Sequence, residues 1–401
     1  MSDRIVEFDI AVIGAGLAGL TAAQSLRCLG QTVVVLEKSR GVGGRVATRR
    51  LYDTQADFGA PFLDPRGMLS QQLVQVLSRG GIVVPWTDTV YHLEPTPLRV
   101  GLYGQSLPPQ ATRENSSLTS GWGMNPAAPL SAPYYVAPAG INAVGKFLAR
   151  HLEIWRCRRV QTVTPTDQGD WHLGLEAMGE GGDAALPLAV RAKAVVMAIP
   201  APQAVMLLES GESGLPGPFV DRLKAVEFDP CISVMAGYPA SKQRELVEAE
   251  YRGRSLVFPP LSPLRGLFWQ SSKGPGATQP VFVLHSSAEF AEKYLDATDL
   301  EAVGRELCNW VGEAVLPWLK DPEWMQVHRW RYAFCRRPLT EPLLTATTPL
   351  PMVCAGDWCG DRQIETALQS GLAAAEWVSD RLGGGPMPQG ASLWEAIAQE
   401  K

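Results

Sequence analysis

The sequence has little that is typical of a membrane, secreted or nucleic-acid-binding protein. None of its 401 residues lie in an uninterrupted apolar run of about 18, which a membrane-spanning helix needs. Lys and Arg total 36 against 41 Asp and Glu, and this net charge of −5 gives no reason to expect a nucleic-acid partner. The N-terminal residues contain no apolar signal-peptide segment. These absences predict a soluble, cytoplasmic protein without a membrane partner.

Cysteine forms no pattern typical of a metal site or a disulfide framework. The seven cysteines are scattered, odd in number and contain no CxxC pair. Cys354 and Cys359 are the closest two, but no neighbouring His or Cys completes a set of zinc ligands. We therefore expect free cysteines in a reducing compartment and no metal.

The strongest pattern lies near the N-terminus and indicates a dinucleotide-binding βαβ unit. An apolar run over 8–13, typical of a buried parallel strand, leads directly into Gly14-Ala15-Gly16-Leu17-Ala18-Gly19. A helical segment follows, and a second β-branched run ends on Glu37. The three glycines permit a tight turn, the approach of a diphosphate and close packing of the helix, whose N-terminus attracts the phosphate charge. Glu37 would accept a hydrogen bond from a ribose hydroxyl.

The residues after Glu37 favour FAD over NAD. Lys38 follows at once, and the pair Gly43-Gly44 then precedes Arg45. Backbone amides at adjacent glycines and one guanidinium can reach the same diphosphate or the ribityl chain. A simple NAD dehydrogenase would continue into its next βα unit here.

The order of these motifs resembles the flavoprotein amine oxidase and desaturase superfamily and, in finer detail, the renalase family. The likeness extends over most of residues 8–378 and is carried by the segments GVGGRVATRR (41–50), ADFGA (56–60), YVAPAGI (135–141), AIPAP (198–202), VLHSS (283–287), HRWRY (328–332) and CAGD (354–357). Two positions depart from the pattern: Pro61 stands where glutamine is expected, and Thr366 where glycine usually follows the acid.

The resemblance implies an α/β fold, namely a Rossmann-like FAD-binding domain of the glutathione-reductase type with an inserted α+β substrate domain that contains a mixed sheet. The flavin domain would comprise 1–66, 139–202 and 345–383, and the substrate domain 67–138 and 203–344. The glycine-rich run after residue 382 predicts a flexible tail over 384–401.

The resemblance also implies a non-covalently held FAD and assigns its binding residues. They are Gly14, Ala15, Gly16, Leu17, Ala18, Gly19, Glu37, Lys38, Gly44, Arg45, Gly59, Ala60, Val160, Gly356, Asp357, Ile364, Glu365 and Thr366. The candidate catalytic residues are His285, Trp330 and Tyr332, while Trp269 and an arginine group at 329–337 are further candidates for substrate contact.

The activity that the renalase likeness implies is oxidation of the 2- and 6-dihydro isomers of NAD(P). Hydride would pass to flavin N5, and O2 would accept the electrons and yield H2O2. Small-molecule dinucleotides or amines and O2 are thus the expected partners, and the oligomeric state stays open.

Two alternatives remain at this point. The first is an amine oxidase of the same superfamily, in which Lys273 would match a flavin-facing lysine, although the sequence assigns no aromatic pair to flank an amine. The second is a redox-silent protein that binds FAD for structure or interaction.

Overall fold

The structure is a computed structural model that describes residues 5–95, 122–127, 130–177, 187–248, 250–360, 363–385 and 390–400. Parts of the predicted substrate segment 67–138 and of the predicted tail 384–401 lie outside the described residues.

The described helices follow one another along the whole chain. They are α1 (Leu17–Cys28), α2 (Met68–Arg79), α3 (Asn142–Leu148), α4 (Ala201–Glu209), α5 (Gly217–Lys224), α6 (Ala240–Glu248), α7 (Ala288–Lys293), α8 (Leu300–Ala314), α9 (Gln363–Arg381) and α10 (Gly390–Gln399).

The described strands lie between these helices, singly or in groups. They are β1 (Val6–Ile13), β2 (Val33–Glu37), β3 (Thr48–Leu51), β4 (Thr54–Asp57), β5 (Val84–Thr87), β6 (Tyr91–Pro95), β7 (Trp122–Pro126), β8 (Tyr134–Val136), β9 (Glu153–Arg156), β10 (Arg158–Pro165), β11 (Trp171–Ala177), β12 (Ala189–Met197), β13 (Glu227–Gly237), β14 (Ser255–Val257), β15 (Leu264–Trp269), β16 (Val281–Ser286), β17 (Trp324–Arg337), β18 (Leu344–Ala346) and β19 (Met352–Cys354).

The first sheet has a parallel core with β1 at its centre. Residues 10–13 of β1 pair with 33–36 of β2 on one side and with 194–197 of β12 on the other. Strand β9 extends the parallel set beyond β2, and β19 extends it beyond β12. Helices α1 and α9 cover one face. Strands β10 and β11 continue the sheet beyond β12 as antiparallel strands, and their apolar side chains share the core of the other face with α4. Burial on both faces explains the unbroken apolar runs and confirms the Rossmann-like α/β fold.

The second sheet is mixed, with the strand order β17-β13-β16-β15-β14-β6-β7. Its strands come from residues 91–126 and 227–337, two segments that lie between strands of the first sheet. Helix α8 packs on one face over the apolar core. The opposite face contacts β4 and Phe58. The second sheet therefore stands over the segment that follows β4.

The structure differs from two predicted boundaries. Helix α2, placed by the sequence in the substrate domain, packs Leu73 and Leu77 into the core that α1 and α9 share. The predicted flexible tail is wrong for 390–399, which form α10 with Trp394 and Ile397 fully buried against that core. The reason is the apolar face of α10, which outweighs the flexibility suggested by the glycines before it.

Within the described residues, no helix combines the length and apolarity that crossing a bilayer requires. The same residues contain no group of three His, Cys, Asp or Glu that could hold a metal ion. All seven cysteines are free thiols.

Candidate flavin and substrate site

The turn between β1 and α1 has the shape that a diphosphate needs. Gly14 has φ +103°, and a Cβ there would lie 2.7 Å from the Ala198 carbonyl oxygen. A Cβ on Gly19 would lie 2.1 Å from the Gly14 oxygen, so the helix packs directly on the turn. Space is open beside Gly16, and the N-terminus of α1 has neither a side-chain cap nor an acid in its first turn. Its free N–H groups can therefore bind an anion.

Glu37 lies at the carboxyl end of β2 and is buried. Its carboxylate accepts hydrogen bonds from the Ala15 amide at 2.8 Å and from the Ser39 amide at 2.7 Å. Those bonds hold the glycine turn and the end of β2 together. A carboxylate has about four lone-pair sites, so Glu37 can still accept from ribose hydroxyls.

Arg45 and Asp357 form a direct contact although they lie 312 positions apart in the sequence. Arg45 follows β2, and Asp357 follows β19. The Arg45 guanidinium forms a bidentate pair with the Asp357 carboxylate, with N–O distances of 2.7 and 2.5 Å. The Asp357 side chain is buried, whereas 32% of the Arg45 side chain is exposed. The loop before Arg45 rests on the glycine turn, since the Gly43 amide donates to the Ala15 carbonyl at 2.7 Å. A charged pair therefore borders the predicted diphosphate position.

Gly59 and Ala60 continue the β3–β4 hairpin beside Arg45. The Ala60 amide donates to the Arg45 carbonyl at 2.8 Å. A Cβ on Gly59 would lie 1.9 Å from that same oxygen, so this backbone approach requires glycine. The structure thus brings Gly59 and Ala60 next to Arg45. Three residues predicted to bind one cofactor must lie close together, and these three do.

The remaining predicted cofactor residues lie at different depths. Lys38 is exposed at the end of β2, and Leu17 and Ala18 are buried in α1. Val160 is buried on β10, where only its backbone could face an adenine. Thr366, one of the two departures, is buried in α9.

Two further positions complete this edge of the site. Ile364 is half-buried in the first turn of α9, and Gly356 lies just after β19. Gly360 makes room for Thr366, since a Cβ on Gly360 would lie 2.9 Å from the threonine methyl group. The β-branched residue at 366 is therefore accommodated locally.

Glu365 caps a helix with its side chain. Its carboxylate accepts hydrogen bonds from the Leu69 amide at 3.0 Å and the Ser70 amide at 2.7 Å, at the N-terminus of α2. A Cβ on Gly67 would overlap the Glu365 side chain. The Glu365 side chain is thus directed to the start of α2.

An aromatic wall from the second sheet covers the segment before Gly59. Trp330 stacks on Phe58 with ring centroids 5.3 Å apart, and its indole N–H donates to the Phe58 carbonyl at 2.9 Å. His328 packs edge-on against both rings, and the Arg49 guanidinium lies 5.0 Å from the Phe58 ring centroid. This wall joins the two sheets beside the predicted flavin position.

His285 lies on the same side of the second sheet and is 6% exposed. Burial, with the charges of Lys273 and Arg265, lowers the pKa of His285 to about 3. Burial and the Arg49 charge lower the pKa of His328 to about 4. Both imidazoles are therefore neutral at physiological pH.

Lys273 forms a buried ion pair with Asp57, the residue before Phe58. The Lys273 ammonium lies 2.9 Å from the Asp57 carboxylate, and both side chains are almost fully buried. Burial lowers the pKa of Lys273, while Asp57 opposes that shift. Asp57 also accepts from the Ile141 amide at 2.9 Å. Lys273 thus anchors the Phe58 segment, and its ammonium is already engaged.

Some sequence candidates lie elsewhere. Tyr332 packs edge-on against Phe228, outside the wall around Phe58. Trp269 is buried in the core of the second sheet and stacks on Phe282. The arginines at 329–337 bind backbone or acids within residues 227–297: Arg329 with Ala297, Arg331 with Asp296, and Arg336 and Arg337 with Glu227.

Comparison with known families decides which group of flavoproteins this site belongs to. The family model described as flavin containing amine oxidoreductase matches residues 132–379, and the NAD(P)-binding Rossmann-like domain model matches 12–77. The chain belongs to the flavin-containing amine oxidoreductases. FAD is therefore its cofactor, and the uncapped α1 N-terminus with open space at Gly16 fits the FAD diphosphate.

Individual members of the amine oxidoreductase family match over short stretches or in fold alone. Putrescine oxidase of Kocuria rosea is 39% identical over 64 residues, which is 16% of this chain and 13% of that protein. L-amino-acid oxidase of Crotalus adamanteus is 39% identical over 66 residues, again 16% of this chain and 13% of that protein. These alignments thus span about an eighth of the relatives' length. The solved cyclohexylamine oxidase from Brevibacterium oxydans has a TM-score of 0.63 at 14% identity, covering 94% of this chain and 99% of its own.

Sequence reasoning missed several residues of this amine oxidoreductase's site. Asp57 and Phe58 stand in the ADFGA segment and His328 in the HRWRY segment, so the motifs were visible but the side chains were not singled out. The Lys273–Asp57 pair joins residues 216 apart, and no local signal marks it.

Proposed function

We propose that this amine oxidoreductase oxidises dihydronicotinamide rings, specifically the 2- and 6-dihydro isomers of NAD(P), with O2 as acceptor and H2O2 as product. The observation that carries the proposal is the aromatic wall of Phe58, Trp330 and His328, with buried His285 on the same face of the second sheet. The lowered pKa values of both histidines support it. FAD supplies the hydride acceptor.

The two histidines, unlike the Arg49 guanidinium on Phe58, place no positive charge beside a ring that becomes a cation. A dihydropyridine is neutral and turns into a pyridinium when hydride leaves it. Protonated histidines would oppose that positive charge, whereas the lowered pKa values of His285 and His328 keep both rings neutral. The flat Phe58–Trp330 surface can hold the ring by stacking.

The same features suit a reaction without proton transfer. Loss of hydride from a dihydropyridine releases no further proton, so the chain needs no strong base there. A primary amine at neutral pH is an ammonium that must lose a proton first. His285, with a pKa of about 3, is a poor acceptor for that proton.

The carboxylates next to the wall do not offer an ammonium site either. Asp57 is held by Lys273, and Asp357 is held by Arg45. An ammonium substrate would have to compete with these fixed cations.

The second candidate is an amine oxidase, which the family membership favours. An amine nitrogen held between two rings needs centroids about 7 Å apart, because each contact takes about 3.5 Å. Phe58 and Trp330 are 5.3 Å apart and Phe62 and Tyr134 are 3.8 Å apart, so neither pair leaves that space.

The test is anaerobic mixing of the FAD-loaded protein with 6-dihydro-NAD, ordinary NADH, putrescine or cyclohexylamine while flavin absorbance is followed. We expect rapid bleaching by 6-dihydro-NAD, and H2O2 when air is admitted. Rapid bleaching by an amine alone would overturn the proposal in favour of the second candidate. No bleaching by any of them would favour a redox-silent flavoprotein.

A further inference from the structure

Ser233 lies in the middle of the sheet face that is turned toward Phe58. On β13 it stands opposite His328 of β17 and opposite His285 of β16. Directly opposite residues of antiparallel strands point to the same face, with Cβ atoms about 5 Å apart. Two residues further along β13, Met235 packs with Phe58. Ser233, His285 and His328 therefore lie on the same sheet face as Met235, toward Phe58.

The Ser233 hydroxyl and His285 Nε2 are both buried and form no well-aligned hydrogen bond within the described residues, although a backbone contact with Phe58 opposes the lowering of the His285 pKa. Ser233 is 0% exposed and His285 is 6% exposed. Burying a polar atom without a partner costs free energy, and such atoms are rare in native proteins. Two of them side by side, beside the aromatic wall, indicate a polar group that a ligand brings.

Ser286, beside His285 on β16, differs from Ser233 in having hydrogen-bond partners. The Ser286 hydroxyl accepts from the Ile232 amide at 2.9 Å and donates to the Ser287 carbonyl at 2.9 Å. Ser286 follows His285 on β16, so its side chain points to the opposite face of the sheet. One buried serine is thus structurally satisfied, and the other is not.

We propose that Ser233 and His285 bind the carboxamide of the nicotinamide ring. The proposal rests on the proposed function for the identity of that ring. A hydroxyl and a neutral imidazole each offer a donor and an acceptor, which matches an amide with one acceptor oxygen and two N–H donors. Phe268, whose ring lies 5.1 Å from that of His285, and Trp330 provide apolar surface beside them.

The test uses the oxidised, FAD-loaded protein and titrates it with NAD+, which cannot reduce the flavin, while flavin absorbance is followed. We expect Ser233→Ala to raise the NAD+ dissociation constant about tenfold. Its thermal stability should stay equal or rise, because an unsatisfied buried hydroxyl is removed. The pyridine analogue of NAD+ without the carboxamide should bind wild type and Ser233→Ala equally.

Ser286→Ala is the matched control and should give the reverse pattern, with a lower Tm and unchanged NAD+ affinity. Unchanged NAD+ binding by Ser233→Ala would overturn this inference but not the proposed function. An equal loss of affinity for NAD+ and for its carboxamide-free analogue would do the same. A different outcome would overturn both the proposed function and this inference. In that outcome, no dihydro-NAD isomer reduces the wild-type flavin, and NAD+ does not change the flavin absorbance.

Discussion

At the scale of single residues, the pair of Arg45 and Asp357 is the most direct link between sequence pattern and cofactor. Asp357→Ala leaves the guanidinium without its bidentate partner and removes a buried carboxylate that can accept a hydrogen bond from a ribityl hydroxyl of FAD. A hydrogen bond to a charged group contributes about 1.5–3 kcal/mol, so we expect FAD affinity to fall between tenfold and a hundredfold. Titration of the apoprotein with FAD, followed by flavin fluorescence, measures this.

Arg336→Ala is the control for that experiment, because it breaks a pair with Glu227 whose arginine is 56% exposed. Exposed ion pairs contribute little, and FAD affinity should stay as in wild type. Equal affinities for Asp357→Ala and Arg336→Ala would show that Asp357 does not contact FAD.

The buried histidine His285 makes acid stability a second residue-scale property. The pKa of His285 is about 3 in the folded protein and 6.5 in a free imidazole. Below pH 6.5 the unfolded state therefore binds a proton that the folded state does not, and stability falls with falling pH. Between pH 7 and pH 5 this amounts to about 2 kcal/mol.

Urea denaturation at pH 7 and pH 5 checks this expectation. His285→Gln should lose less stability than wild type over the same interval, because the variant has no imidazole to protonate on unfolding. His151→Gln, which changes a 39% exposed histidine, should keep the wild-type pH dependence. An acid loss in His285→Gln as large as in wild type would contradict the prediction.

At the scale of helices and strands, Glu365 couples α9 to the start of α2. Glu365→Ala removes both acceptors of the Leu69 and Ser70 amides, and losing such a cap costs about 1–2 kcal/mol of unfolding free energy. We expect this loss in urea denaturation with FAD affinity unchanged. Glu376→Ala, on the exposed face of the same helix, should change neither quantity. A tenfold loss of FAD affinity in Glu365→Ala would instead place its carboxylate at the cofactor.

The elements also show what local pattern can and cannot predict. The β1–turn–α1 unit was predicted because its spacing reflects local backbone geometry, as at Gly14. Arg45 and Asp357 were both assigned to the cofactor, but their direct pairing depends on how distant strands assemble. Ser233 was missed because its importance lies in the register of three strands, which no linear motif records.

At the scale of the whole molecule, α10 packs against the helices that support the glycine turn. It contacts α1, α2 and α3, and its Leu393, Trp394 and Ile397 are fully buried. The glycines before α10 suggested a tail, although this apolar pattern was present in the sequence. Because α1 and its turn are the predicted diphosphate site, we expect α10 to stabilise that site through the core that it shares with α1.

Trp394→Ala tests this role of α10. Removing a buried tryptophan costs about 3–5 kcal/mol, and we expect a loss of that size in urea denaturation of the apoprotein. FAD binds the folded state, so saturating FAD should raise the midpoints of wild type and variant alike. Glu395→Ala, also on α10, breaks an exposed ion pair with Arg79 of α2. It should lower the unfolding free energy by less than about 1 kcal/mol. If both variants changed stability by the same small amount, α10 would not be docked, and the folded core of the flavin region would end at α9.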